Sequence, residues 1–297
     1  MDTNKVKLGI APIGWTNDDI PELGGENTFE QCVSEMALAG YAGSEVGTKY
    51  PADAAELKKA LDLRGMVICN QWFSTELIAK SYGEVEREFR DALSFLRVVG
   101  AEVIGPSEQT RSCQGDESIG VQAGKATFSN EEWKIMVDGY NKLGTVAKDE
   151  GFTLCMHHHM GTGVQTPEEV ERFLHDTDPE TVLLTFDTGH FSYNGSDPVE
   201  ELRKFLPRVG HVHLKDLRPA IQSVGMSEDW PFMKAVREGV FTVPGDGAVD
   251  FPAVFKILEE GGYKGWMVVE AEQDPAKADP LEYALKARDY IRTHTGL

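Results

Sequence analysis

Three short stretches carry most of the ionisable chemistry in this chain: His157-His158-His159, His211-Val212-His213 and Glu270-Ala271-Glu272, with Asp187 between the first two. Each group follows an apolar run, for example Met267-Val268-Val269 before Glu270. Ionisable side chains in such places are costly unless they are paired or bind a cation. Residues two apart on a strand face the same way, so His211 and His213 share a face, as do His157 and His159, with His158 opposite. Asp187, His213 and Glu270 come from three successive strand ends. Mixed carboxylate and imidazole donors suit Mn²⁺, Co²⁺, Fe²⁺ or Zn²⁺ better than Mg²⁺ or Ca²⁺. Asp187, in Asp187-Thr188-Gly189-His190, reads equally well as the cap of the next helix. Glu45, Gln71 and Glu108 stand at or just after earlier strand ends.

The elements that must position these residues alternate eight times. Strands are expected at Leu8–Pro12, Gly43–Val46, Met66–Gln71, Glu102–Pro106, Phe152–His157, Thr181–Phe186, Val209–Leu214 and Gly265–Glu270, each a short apolar run of the kind a buried parallel strand needs. Helices are expected between them. Thr28 and Gln31 form a capping-box pattern ahead of Phe29, Cys32, Val33 and Met36, and Gly40 closes that helix. Pro51 and Pro167 open further helices, and Glu84–Val99, Glu131–Glu150, Asp197–Phe205, Phe251–Glu260 and Pro280–His294 complete the series. Gly245-Asp246-Gly247 reads as a turn into a helix capped by Asp250. Eight such units in 297 residues indicate an α/β fold, a single (β/α)₈ TIM barrel spanning residues 1–297. The competing open sheet is disfavoured because no G-x-G-x-x-G follows the first strand. Helix-to-strand connections are short, whereas Pro12–Asn27, Ser107–Asn130 and Lys215–Asp229 are long and fall on one face, where barrel enzymes keep their active sites.

Composition removes several functions. The chain has 29 Lys plus Arg against 49 Asp plus Glu, a net charge of −20, which repels phosphate backbones and anionic membranes. Nucleic acid is therefore not an expected partner, and a small neutral or cationic molecule is. No apolar run approaches the roughly 18–20 residues of a membrane span. Four cysteines lack any C-x-x-C spacing and read as reduced thiols, which points to the cytoplasm. The oligomeric state stays open, with a homo-oligomer allowed.

Longer motifs carry a resemblance. GIAPIGWTNDD (9–19), GSEVGTKYP (43–51), SEQTRSCQG (107–115), HHHMGTGVQT (157–166), HVHLKD (211–216) and FTVPGDGAVDF (241–251) resemble the inosose dehydratase family of the xylose-isomerase-like barrels, with matching spacing from Gly9 to Tyr290. The resemblance implies dehydration of 2-keto-myo-inositol (scyllo-inosose) to 3D-(3,5/4)-trihydroxycyclohexane-1,2-dione in inositol catabolism. It implies Mn²⁺ or Co²⁺ as cofactor, and glutathione as well, although no residue here points to glutathione. In these barrels Glu, Asp, His and Glu from strands five to eight hold the metal. Asp187, His213 and Glu270 match the last three. The first Glu is replaced by the His157–His159 run, with His157 favoured by strand phase and His159 as the alternative.

The implied reaction needs a base for the proton beside the ketone and an acid for the departing hydroxyl. Candidates for the base are His157, His159, Glu45 and Glu272; candidates for the acid are Lys49, His190, His211 and Lys215. Trp15, Tyr50 and Trp72 follow strand ends and offer flat faces to a cyclitol ring. The alternative enzyme is a keto-sugar or keto-inositol isomerase or epimerase, which shares the first step and keeps the hydroxyl. A nuclease conflicts with the charge. A non-catalytic carbohydrate-binding barrel leaves Asp187, His213 and Glu270 unexplained.

Overall fold

Chain order runs β1 (Val6–Ile10), α1 (Phe29–Leu38), β2 (Gly43–Glu45), α2 (Ala54–Asp62), β3 (Val67–Asn70), β4 (Trp72–Thr75), α3 (Tyr82–Val99) and β5 (Val103–Glu108). It continues with α4 (Asn130–Asp149), β6 (Thr153–His157), α5 (Pro167–Asp176), β7 (Val182–Asp187), α6 (Thr188–Tyr193), α7 (Pro198–Phe205) and β8 (Val209–Leu214). The last part holds β9 (Asp216–Leu217), α8 (Pro219–Ser227), α9 (Phe232–Arg237), β10 (Phe241–Thr242), α10 (Phe251–Glu260), β11 (Gly265–Val269) and α11 (Pro280–Thr295). The computed structural model describes residues 1–297.

Nine strands pair in the order β3-β2-β1-β11-β8-β7-β6-β5-β4, with every ladder parallel. The two ends of that order, β3 and β4, are consecutive in the chain and separated only by Gln71. They share one strand position, so eight positions run round a nearly closed ring. The (β/α)₈ barrel read from the sequence is borne out. The strands are Val-, Ile- and Leu-rich because helices cover one side and packed side chains fill the other. No helix is long and apolar enough to cross a membrane.

Local caps set where the helices begin. Ser129 with Glu132 and Thr166 with Glu169 each form a complete capping box, and Glu84 accepts from both the amide and the hydroxyl of Ser81. The Thr28 box is half made: Thr28 accepts from the Gln31 amide, but the Gln31 side chain bonds Glu35 instead. Pro51 does not open the second helix. Asp53 does, accepting from the amides of Ala55 and Glu56, because its carboxylate satisfies two free donors that proline cannot.

The long connections above the strand ends form a second layer. Lys215–Asp229, expected as irregular loop, contains β9 and α8, and β9 pairs antiparallel with β10. Leu217 from this segment and Phe232 and Phe241 from the residues after it pack with Ile20, Cys113, Val121 and Met160 into a cluster separate from the main core. Asp229, at φ +48°, ties this layer to the 107–130 connection by accepting from the amides of Gln122 and Ala123. The Gly245-Asp246-Gly247 turn folds around Asp216, which accepts from the amides of Gly245 and Gly247, and Asp250 caps α10 as expected.

Candidate active site

Asp187 ends β7 and begins α6, and its two oxygens divide the work. Oδ1 accepts from the amides of Gly189 at 2.8 Å and His190 at 2.9 Å, capping the helix. Oδ2 is buried without a hydrogen-bond partner. The two readings of this residue, cap and site carboxylate, are thus compatible. Ladder register sets Asp187 beside His213 on β8, while His157 on β6 lies beside Thr185, two residues before Asp187. Glu270 follows β11, its amide bonded to the Leu214 carbonyl.

Three buried atoms therefore converge without hydrogen-bond partners, His157 Nε2, Asp187 Oδ2 and His213 Nδ1, and Glu270 Oε2 stands beside them, ion-paired to Lys215. His157 Nε2 lies 3.5 Å from Asp187 Oδ2, and His213 Nδ1 lies 3.4 Å from both Asp187 Oδ2 and Glu270 Oε2. Donor atoms that share a cation at about 2.0–2.2 Å stand roughly 3.0–3.5 Å apart. Two imidazoles and two carboxylates at this spacing fit a divalent transition metal, and a void lined by orphaned polar atoms is otherwise costly. His157, Asp187 and His213 form one group able to hold such an ion, and Glu45, His211 and His213 form a second.

Lys215 is the charge behind this cluster. It is fully buried, with Nζ 2.7 Å from Glu270 Oε2, 2.9 Å from Glu272 Oε2 and 3.5 Å from Asp187 Oδ2. Burial opposes its charge, but these carboxylates outweigh burial and raise its pKa. It pairs with them and not with Asp216. Gly189 makes room for its stem: a Cβ there would meet Lys215 Cδ and Cγ at 2.4 Å. His190 Nε2 is 3.2 Å from Lys215 Nζ, and burial followed by the nearby His159 and Lys215 holds His190 well below the usual imidazole range.

His159 and Glu272 face the open space. His159 Nδ1 is 2.9 Å from the Met160 carbonyl, which only accepts, so the ring proton sits on Nδ1 and Nε2 carries the lone pair. Burial, then Lys215, holds this imidazole well below its usual range. Burial pushes the Glu272 carboxyl up to about 8, against the opposing pull of Lys215. His159 Nε2 and Glu272 Oε1 are 3.9 Å apart.

The space they face is a cavity of about 300 Å³ at the barrel mouth, at the small end of ligand pockets. His157, His159, His213, Glu45, Glu270 and Glu272 line it, and Trp72 stands edge-on to His157 and His159. Asn70, Asp18, Asp19 and Gln114, which are not among the candidates expected from the sequence, also line it. Their signal was present in part: Asn17-Asp18-Asp19 lies in a long connection after the first strand. Asp18 and Asp19 touch solvent through the cavity, yet the protein around them raises both carboxyls by desolvation.

Other candidates lie elsewhere. Lys49 donates to the carbonyls of Gly24, Gly25 and Asn27 and secures the connection after β1, outside the cavity. His211, His190 and Lys215 are buried beneath the lining. Gln71 occupies the break between β3 and β4, and its neighbour Asn70 faces the cavity instead. Glu108 accepts from Thr75, Leu77 and Thr110 and anchors local backbone. Trp15 donates to Glu35, and the Tyr50 hydroxyl bonds Ser44, so only Trp72 of the three aromatics offers its ring to the cavity.

Comparison with known proteins shows the family. A model of the xylose isomerase-like TIM barrel family matches residues 33–294. The chain is 55% identical over 296 residues to a protein named inosose dehydratase from Clostridium beijerinckii, covering 100% of this chain and 99% of that one. It is 54% identical over 294 residues to the protein of that name from Geobacillus thermodenitrificans, covering 99% of each. Among solved structures, the IolI protein with a bound zinc atom superposes with a TM-score of 0.72 at 18% identity, over 98% of this chain and 100% of that one, a likeness of fold. The chain belongs to the xylose isomerase-like TIM barrel family and, within it, to the inosose dehydratases.

Proposed function

We propose that this protein is a metal-dependent hydro-lyase that dehydrates scyllo-inosose to 3D-(3,5/4)-trihydroxycyclohexane-1,2-dione. The observation that carries the metal is the convergence of three unpartnered buried atoms of His157, Asp187 and His213 at the barrel mouth, with Glu270 beside them, in a chain more than half identical to inosose dehydratases along its length. His157, Asp187, His213 and Glu270 would hold the cation, with Mn²⁺ or Co²⁺ as the proposed ion. A divalent ion held there supplies Lewis-acid polarisation of a carbonyl oxygen.

The chain's own residues divide the proton transfers. His159 Nε2, unprotonated and open to the cavity, takes the proton from the carbon beside the ketone. Glu272, raised by burial, gives a proton to the hydroxyl on the next carbon, which leaves as water while the electron pair of the broken C–H bond forms the new C=C bond. The enol so formed tautomerises to the dione. Lys215 offsets the negative charge of Asp187, Glu270 and Glu272 from beneath. Trp72 offers an apolar face to the ring's C–H groups, and Asp18, Asp19 and Gln114 offer polar atoms to its hydroxyls. Four free, buried thiols support a cytoplasmic setting.

Incubation of chelator-treated protein with scyllo-inosose and Mn²⁺ or Co²⁺ tests this reading. The expected product is lighter than the substrate by one water and carries new ultraviolet absorbance. A product of unchanged mass that has taken up deuterium from D₂O would replace the dehydratase with an epimerase.

A further inference from the structure

Glu45 lines the cavity, as a base would, but its hydrogen bonds point elsewhere. Three donors converge on one of its oxygens. Asn70 Nδ2 is 2.7 Å from Oε1, His213 Nε2 is 3.0 Å and His211 Nε2 is 3.3 Å. The other oxygen takes part in none of these bonds. We infer that Glu45 is a positioning residue: it takes the Nε2–H of His213 and thereby turns that ring's Nδ1 toward Asp187, Glu270 and His157. The inference rests on the metal-dependent reading above.

Two features of the fold support it. An imidazole has two nitrogens, and the bond made by one decides what the other can do. With Nε2 committed to Glu45, Nδ1 is the atom left 3.4 Å from Asp187 Oδ2 and Glu270 Oε2. Carboxylates that hold a ligating imidazole in this way orient it and raise its basicity. The second feature is local. Register shifts between Ser44 and Glu45 where β2 meets β3, an irregularity of the kind that re-aims a side chain. Beyond the shift Glu45 lies beside Asn70, the same residue that bonds its carboxylate. His211, two residues before His213 on β8, points at the same oxygen and closes the arrangement. Because Glu45, His211 and His213 also meet the spacing of a cation group, a second bound ion is the competing use of these atoms.

The test measures cation affinity without substrate. Full-length protein stripped with a chelator is titrated with Co²⁺ or Zn²⁺ in competition with a chromogenic chelator, for wild type, Glu45→Gln, Glu45→Ala and Asn70→Ala. Glu45→Gln preserves shape and guards against loss of fold, which far-ultraviolet circular dichroism checks. Asn70→Ala loosens Glu45 without altering the carboxylate. The expected result is one ion per chain and affinity weakened about 10–100-fold in Glu45→Ala, the range seen when outer partners of metal ligands are removed, with smaller losses in the other two. At saturating cation, kcat of Glu45→Gln should fall less than tenfold, whereas loss of a general base costs roughly 10²–10⁴-fold at any cation concentration. Unchanged affinity in folded variants beside a wild type that binds overturns this inference alone. So does a kcat loss of base-like size at saturating cation, or a stoichiometry of two. A wild type that binds neither cation overturns both this inference and the metal-dependent reading.

Discussion

Asp187 allows the helix cap and the site carboxylate to be separated by one pair of substitutions. In Asp187→Asn the remaining oxygen can still accept from the amides of Gly189 and His190, while the other position becomes an amide nitrogen that cannot ligate. Lys215 is not stranded, because Glu270 at 2.7 Å and Glu272 at 2.9 Å are nearer to it than Asp187 at 3.5 Å. In Asp187→Ala the cap is lost as well. Removing a capping side chain costs about 0.5–2 kcal/mol, and this cap is fully buried, so the upper half of that range applies. For a chain of this size, at about 2.1 cal/mol/K of unfolding entropy per residue, about 1 kcal/mol corresponds to roughly 1.5–2 °C in Tm. Metal-free Asp187→Ala should therefore melt about 2–3 °C below metal-free Asp187→Asn. Both should lose cation affinity by more than roughly 100-fold, since even an outer partner is worth about 10–100-fold. Thermal melts in chelator and metal analysis after dialysis give the two numbers. Equal melting of the two variants would refute the cap argument, and wild-type metal content in Asp187→Asn would remove Oδ2 from the site.

His159→Ala and Glu272→Gln should each lower kcat by roughly 10²–10⁴-fold with metal content retained, and Lys49→Ala should stay within a few-fold of wild type because Lys49 bonds only loop carbonyls; steady-state kinetics beside metal analysis checks both, and a His159→Ala variant with wild-type kcat removes it as base. Gly189→Ala should destabilise the fold by about 1–3 kcal/mol, because the added methyl meets the buried stem of Lys215; a denaturant midpoint equal to wild type would mean that stem can move freely. All four thiols should resist a water-soluble disulfide reagent in the native protein at neutral pH and react on unfolding, since all are buried and burial pushes Cys32 up to about 12; rapid reaction of any thiol in folded protein would contradict the packing.

The barrel and its chemically active rim are legible in the residue pattern. Parallel strands buried on both faces leave continuous apolar runs, so their ends are visible as the points where His157, Asp187, His213 and Glu270 interrupt the pattern. Successive ends of a barrel are neighbours, so local pattern alone brought those residues together. Which atom of each residue faces the others depends on the closed fold. Glu45 and His213 are 168 residues apart, and nothing in either stretch shows that one carboxylate oxygen receives both histidines of β8. Lys49 follows a strand end as a catalytic lysine would, but the carbonyls that capture it belong to a loop folded back from residues 24–27. The phase at the third strand position turned on a break at Gln71 that exchanged Gln71 for Asn70 at the cavity. The physical reason is one of range. Periodicity reports which way a side chain points within its own element, whereas charge, tautomer and access depend on partners that only the closed ring brings within 3–4 Å.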